Sequence, residues 1–401
     1  MDVINDEKLI LEREVFTRDA IEKRMLAGGF NSLAKFELFI WDLEMFLQLQ
    51  RILGDKIILK GGAAIQFYIP ITNQRTSIDI DMICLATRDE VHKAINQIEG
   101  LFMGQEDYCK FRIYRPKNPK LGLEDLETYF ETIPSICSPG ELFSTIGKQE
   151  VKIEFLFSDE SYSINKIRNP QIFALEAHET FNILALENLF ADKLTTLGPN
   201  TIGIPNDRSD EHFKQIYDII TLFLSNTDQI LEKSKLIEEN YYKVALSECR
   251  IRGILYSQEI LLNDMKQFIK RLQQIENTPE MIQRANDFQA LYLRSAVNRD
   301  KTQWAIVGYQ LELIAEYIFR SDKRIFKITD IEEIIKHLKF EHIRGPEKGE
   351  ISKHFRHELE KAFSGIEGIT DNLFRKRIER IIWELVTYVS VEEIKEIVNL
   401  K

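Results

Sequence analysis

Apolar residues recur every three to four positions through Leu33, Phe36, Ile40, Leu43, Phe46 and Leu47, predicting an amphipathic packing helix over 32–53 that Asn31 or Ser32 can cap. At Lys56 the period changes. Ile57-Ile58-Leu59 predicts a short strand, Gly61-Gly62 closes it, and Ala63 to Tyr68 reads as a helical turn before an irregular stretch from Pro70 to Arg75. Ser77 to Leu85 predicts a second strand, and residues 111–114 and 151–157 predict two more, with loops filling 116–149. No strand is expected after about residue 175. Helical spacing governs 185–197, 211–224, the run from Thr227, and then 280–297, 302–320, 330–339, 351–363 and 371–399. The expected fold class is α+β: a mixed-sheet domain over 1–225 that includes the N-terminal packing helix, then an all-α domain over 226–401.

The second strand carries the chemistry. In Ser77-Ile78-Asp79-Ile80-Asp81-Met82 a period of two puts Ile78, Ile80 and Met82 on one face and both Asp79 and Asp81 on the other. Two carboxylates sharing a spot repel unless a cation separates them, and Mg²⁺ with its oxygen ligands is the usual occupant. An exposed strand with two solvated Asp presents the same pattern. Upstream, Lys60-Gly61-Gly62 ends a strand and opens a helix, so that backbone N–H groups can approach an anion; a plain tight turn also fits. Downstream, Lys152 and Glu154 share one strand face, making Glu154 either a third carboxylate at the metal or one rung of a surface ladder.

Taken together, Leu59-Lys60-Gly61-Gly62-Ala63-Ala64-Ile65 and Arg75-Thr76-Ser77-Ile78-Asp79-Ile80-Asp81-Met82 resemble the paired motifs of the AbiEii/AbiGii-type toxin nucleotidyltransferases, within the polymerase-β-like superfamily. Asp192-Lys193-Leu194-Thr195, the run Pro199 to Pro205, and Lys214-Gln215-Ile216-Tyr217-Asp218 are similar to that family's later blocks, so the likeness covers roughly residues 57–224. Thr76, Ile78 and Ala63 depart from the pattern without removing a metal-ligand candidate. The resemblance implies a polymerase-β-like fold and transfer of a nucleoside monophosphate from an NTP. It also implies an acceptor such as the 3′ end of tRNA, and a cognate antitoxin as partner.

On that resemblance Asp79, Asp81 and Glu154 hold Mg²⁺, while Lys60, Gly61, Gly62, Arg75 and Ser77 contact the nucleotide. Lys193 offsets charge on the leaving pyrophosphate. Lys193 also stands beside the apolar ridge Leu186, Phe190 and Leu194, where an unpaired charge is costly, so it needs either a phosphate or an acid such as Asp192 or Glu187. Asp218, a further catalytic candidate, shares a polar ridge with Lys214 and Thr221 and faces either the cleft or solvent.

Composition narrows the partners. With 64 acidic and 53 basic residues the net charge is −11, which argues against general coating of nucleic acid and leaves only local basic tracks. Two are visible: Lys110, Arg112, Arg115, Lys117 and Lys120 interleaved with Phe111 and Tyr114, and Arg375-Lys376-Arg377 with Arg380. No signal-like start or apolar span of about 18 residues is present, so a cytoplasmic location without membrane contact is expected. The four cysteines form no C-x-x-C pair, and His354 and His357 lack the further ligands a zinc site needs. Two rival functions remain: transfer to a protein hydroxyl or a small molecule such as an aminoglycoside, and a catalytically idle nucleotide-binding module.

Overall fold

Thr17 and Ser32 each accept a first-turn backbone N–H, from Ala20 and Lys35, and thereby start α1 (Arg18–Gly28) and α2 (Leu33–Leu53). They belong to a computed structural model that describes residues 8–103, 109–115, 125–136, 147–176, 178–322, 328–339 and 346–399. Then follow β1 (Ile57–Lys60), α3 (Gly61–Ile65), β2 (Asp79–Cys84), α4 (Arg88–Leu101), β3 (Lys110–Ile113), β4 (Leu126–Ser135), β5 (Gly147–Phe157) and β6 (Ile164–Arg168). A small hairpin, β7 (Gln171–Ile172) and β8 (Leu175–Glu176), leads to β9 (Thr180–Leu184), α5 (Leu186–Thr195), α6 (His212–Ser225), α7 (Thr227–Glu232) and α8 (Ser234–Arg252).

Among the described residues, seven strands form one mixed sheet in the order β3-β4-β5-β2-β1-β9-β6. The β2/β5 and β1/β9 pairs are parallel and the rest antiparallel. Alternation along β2 and β5 buries Ile80, Met82, Val151, Ile153 and Phe155 on one face, against which α2 packs. That burial of apolar area is the main stabilising term, at roughly 25 cal/mol per Å². The other face carries Asp79, Asp81, Lys152 and Glu154.

Several expectations need correction. The 116–149 stretch holds β4 within it, where Tyr129, Glu131 and Ile133 occupy the buried face, so that a charged residue at a core position hid the alternation. Strand β9 lies beyond residue 175; it is too short and too uniformly buried to alternate. Helix α4, opened by the capping box of Thr87 and Glu90, is an addition to the expected elements. Helix α2 is buried almost all round rather than on one stripe. Its acids are put to use: Glu44 accepts from Ile10 N (3.0 Å) and Leu11 N (2.9 Å), and Glu37 from Ser135 Oγ and Ile136 N (both 2.7 Å).

Two compact units emerge, one of Met1–Gln258 with Arg284–Asn298, the other of Glu259–Gln283 with Arg299–Lys401. The first unit extends past residue 225 because α8 packs on α5, with Lys233 paired to Glu187 at 2.9 Å. It also recovers a returning segment at the end of α10 (Pro279–Tyr292), the helix reached after α9 (Gln258–Gln273). Thr76 N donates to Tyr292 O (3.2 Å), Ser295 N to Gly29 O (3.0 Å), and Arg294 Nη1 to Ile71 O (2.8 Å). Among its described residues the second unit holds helices and no strand: α11 (Lys301–Arg320), α12 (Ile328–Lys339), α13 (Pro346–Phe363), α14 (Ile378–Leu385) and α15 (Val391–Ile397) enclose Leu311, Ile314, Ile331, Ile381 and Leu385. Residues 371–399 thus form a 3₁₀ turn (Leu373–Arg375) and two short α-helices where one long helix is expected.

Candidate active site

Strand register assembles the acids. Lys60 of β1 lies opposite Asp81 of β2, which lies opposite Glu154 of β5, while Asp79 lies opposite Lys152. Gly61 follows directly, with φ +70°, and a Cβ there would fall 2.2 Å from Asp81 Oδ2. Glycine is required twice over, for its backbone angle and for the approach of the carboxylate. A Cβ on Gly62 would meet Arg75 Nη2 at 2.7 Å and Ser77 Oγ at 3.1 Å, so the turn is wedged between Asp81 and the residues that precede β2. Because α3 spans only 5 residues, it adds little dipole to this turn.

Electrostatics divide the acids. Burial, with Glu154 and Asp79 close by, pushes the Asp81 carboxyl up to about 7 against the pull of Lys60 and Lys152. Burial likewise raises Asp79, with Glu154 and Glu211 adding to it and Lys152 and Lys214 opposing. Glu154 moves the other way: burial disfavours its charge, but Lys152 Nζ at 2.7 Å, Asp81 and Thr128 hold it below the usual range. Burial and neighbouring acids thus disfavour charge on Asp81, while Lys152 favours it on Glu154. Lys60, 3.0 Å from Asp192 Oδ1, stays charged despite burial, because Asp192 and Asp81 hold its pKa above the ordinary lysine value.

Behind the glycine turn lies a buried ionic triad. Asp218 accepts from Arg75 Nε and Nη2, both at 2.7 Å, and from Lys193 Nζ at 3.1 Å, with the three side chains 1%, 4% and 6% exposed. Burial disfavours the Asp218 charge, yet the two cations hold its pKa below the ordinary carboxylate value. Gln215 Oε1 takes a second Lys193 hydrogen bond at 2.8 Å. Asp218 thus faces neither solvent nor an open cleft. Lys193 finds its acid in Asp218, whereas Asp192 serves Lys60 and Glu187 serves Lys233.

Sequence reasoning underrated Lys214. Its Nζ stands 4.6 Å from the Tyr292 ring centroid, and burial, with Arg75 nearby, lowers its pKa while Glu211 and Asp79 oppose the shift. The signal was its place one turn before Asp218. A cavity of about 570 Å³ also went unforeseen; it borders Lys60 and Asp192 and runs past Ile83, Phe157 and Tyr162 to Lys243 and Glu248 of α8.

A divalent cation fits the donor set as a two-carboxylate site. Asp79 and Asp81 offer hard oxygen donors, whereas Glu154 is engaged by Lys152 and Thr128. Among the described residues, no group of three or more His, Cys, Asp or Glu side chains is arranged to hold a metal ion. Other candidates separate from the site. Lys117, Lys120 and His342 lie outside the described residues. In the second unit Lys376 pairs with Glu276 (2.8 Å), Arg377 with Asp300, and Arg380 is buried against Glu384 (3.0 Å) and Tyr309 (3.0 Å), so most of that basic run is spent on internal pairs. No helix among the described residues is long and apolar enough to cross a membrane.

No curated protein sequence matches the chain. Among solved structures, a candidate nucleotidyltransferase from H. pylori aligns with a TM-score of 0.39 at 14% identity, covering 73% of this chain and 98% of that one. MenT4, a nucleotidyltransferase toxin from Mycobacterium tuberculosis, aligns with a TM-score of 0.34 at 11% identity, covering 58% of this chain and 71% of that one. The family model for the nucleotidyl transferase AbiEii toxin of type IV toxin–antitoxin systems matches residues 46–294, from late α2 to the returning segment. The span takes in the glycine turn, the β2 carboxylates, the triad and Lys214, and the chain belongs to the AbiEii nucleotidyl transferase toxin family.

Proposed function

We propose that this chain transfers a nucleoside monophosphate from an NTP to the 3′-terminal hydroxyl of tRNA, and that it acts in the cytoplasm as a toxin restrained by a cognate antitoxin protein. One observation carries the reading: Asp79, Asp81 and Glu154 converge with Lys60 and Lys152 beside a glycine turn that tolerates no side chain. Mg²⁺ held by Asp79 and Asp81 would neutralise the carboxylates and draw charge from the triphosphate.

The remaining work falls to the protein. The acceptor oxygen bonds to the α-phosphorus as the bond to the bridging oxygen of the β-phosphate breaks, and pyrophosphate leaves with that electron pair. Glu154, kept ionised by Lys152, takes the hydroxyl proton. With the room beside them filled by Asp81, Arg75 and Ser77, Gly61 and Gly62 would meet phosphate oxygens only through backbone N–H groups, and Lys60 and Lys214 supply positive charge around these. Lys193 and Arg75, both bound to Asp218, act through the turn they support, since reaching a phosphate would require either to give up that carboxylate. The chemistry belongs to the first unit.

Incubating the purified protein with Mg²⁺, whole-cell extract and each NTP labelled at its α-phosphate tests this. Label should move to tRNA, and Asp79→Asn or Asp81→Asn should abolish the transfer while leaving the circular dichroism spectrum intact. Label in protein or a small metabolite refutes the acceptor assignment; near wild-type transfer by either variant refutes the metal assignment.

A further inference from the structure

The basic and aromatic run on β3 takes no part in the transfer chemistry, yet the sheet connects it to the carboxylates. Arg112 of β3 lies opposite Phe130 of β4, Phe130 opposite Lys152 of β5, and Lys152 opposite Asp79 of β2, so one row of side chains on one face runs from the sheet edge to the acids. A parallel row begins at Tyr114, whose N–H donates to Thr128 O, and continues through Thr128 and Glu154 to Asp81. Three strand spacings separate β3 from β2, about 14 Å.

Among the described residues the outer end of these rows is exposed. Tyr114 is 48% exposed and its ring meets the partly exposed Phe130 edge-on at 5.8 Å. The Arg112 guanidinium lies over Phe130, 4.8 Å from the ring centroid, and its side chain is 58% exposed. Lys110 stands exposed on the same face of the same strand. Arg112 meets Glu150 at 3.1 and 3.2 Å, but an ion pair this exposed is worth little and yields readily to a phosphate. In a chain of net charge −11, the track from the edge toward the acids is led by Lys110, Arg112 and Lys152. Exposed aromatic rings and guanidinium planes on a sheet, interleaved with cations, are what unpaired bases stack on; a duplex keeps its bases stacked inside.

We propose that the β3–β4–β5 face is a docking track for a single-stranded nucleic acid, whose bases stack on Tyr114 and on the Arg112–Phe130 pair and whose terminus is thereby led to Asp79 and Asp81. This rests on the nucleotidyl transfer reading for its direction, though not for the binding itself. The full chain, titrated into fluorescein-labelled single-stranded RNA and followed by anisotropy, should bind it more tightly than the same sequence as a duplex. A single-stranded DNA of that sequence distinguishes stacking alone from recognition of the 2′-hydroxyl.

Tyr114→Ala should weaken single-strand binding roughly 5- to 150-fold, the range of one lost base stack, whereas Tyr114→Phe should restore it. Arg112→Lys, which keeps the charge but loses the plane, should recover only part of the loss caused by Arg112→Ala. Loss of the Arg112 phosphate contact should lower the salt slope by about 0.7. Wild-type protein that ignores single strands, or Tyr114→Ala and Arg112→Ala variants that bind like wild type, overturns the track. Stacking that depends on Tyr114 in a protein that transfers no nucleotide sustains the track and removes the catalytic reading. Transfer to a protein or small-molecule acceptor, by a protein whose single-strand binding Tyr114→Ala leaves unchanged, does the reverse.

Discussion

Replacing Asp218 by Asn is the sharpest test of the buried triad. The substitution keeps the shape and removes the only negative charge among three side chains that are at most 6% exposed, stranding the Arg75 guanidinium and the Lys193 ammonium. Breaking a buried pair by deleting one partner costs about 3–5 kcal/mol, because the remaining charge has lost both its partner and its water. Against a total stability of about 5–15 kcal/mol this is large. At an m of about 3 kcal/mol/M, the urea midpoint of the first unit falls by about 1–1.7 M. Arg377→Ala, which breaks a pair with side chains 48% and 50% exposed, should cost only about 0–1 kcal/mol. The triple variant Arg75→Met, Lys193→Met, Asp218→Leu should recover most of the loss, because no charge is left stranded. The acid limb gives a further check. Since the folded pKa of Asp218 is depressed, its contribution is fully present above the ordinary Asp value of about 3.9 and disappears as pH falls through the lower folded value. An Asp218→Asn urea midpoint within about 0.3 M of wild type, equivalent to about 1 kcal/mol, would falsify the claim that these charges depend on one another.

Mg²⁺ should raise the thermal midpoint of the wild type and leave that of the Asp79→Asn, Asp81→Asn double variant unmoved; an equal rise in both places the cation elsewhere. Gly61→Ala should displace Asp81 and abolish transfer, while Gly253→Ala, also at positive φ but with nothing within 4 Å of a new Cβ, should cost only about 1–2 kcal/mol and leave activity alone. Differential scanning calorimetry and transfer assays on both would show whether steric approach or backbone angle matters at Gly61. Arg380→Ala should destabilise the second unit by about 3–5 kcal/mol while leaving Mg²⁺-NTP binding, read by calorimetric titration, at its wild-type value. Weakened nucleotide binding there would return that residue to the site.

The parts of the site fixed by local pattern were legible. Alternation placed Asp79 and Asp81 together, and Gly61-Gly62 stood out because no other residue type serves such a turn. Glu154 was visible as a strand-face acid, but whether it met Asp81 depended on the parallel pairing of β2 with β5, a contact between residues some seventy positions apart. For Lys193 the sequence offers a phosphate or an acid such as Asp192 or Glu187; the acid it meets, Asp218, lies on another helix, out of reach of any reading confined to near neighbours. β4 escaped for a different reason, since Glu131 on its buried face breaks the alternation that identifies a half-buried strand. The basic run at Arg375 to Arg380 misled because charge in a sequence carries no record of its partners.

The returning segment sets a condition on synthesis. The start of β2 is held by Tyr292, and the chain around Gly28 and Ile71 by Arg294, so these bonds wait for residues made long after the glycine turn and the carboxylates. At roughly 5–20 residues per second, the ribosome needs on the order of ten to forty seconds to travel from Asp81 to Tyr292. A nascent chain therefore carries its acids for that interval with the strand that displays them still incompletely pinned. A fragment cut after Gln258 would remain in that state permanently, which makes any sequence-contiguous version of the first unit a poor surrogate for the enzyme unless Arg284–Asn298 is joined back onto it.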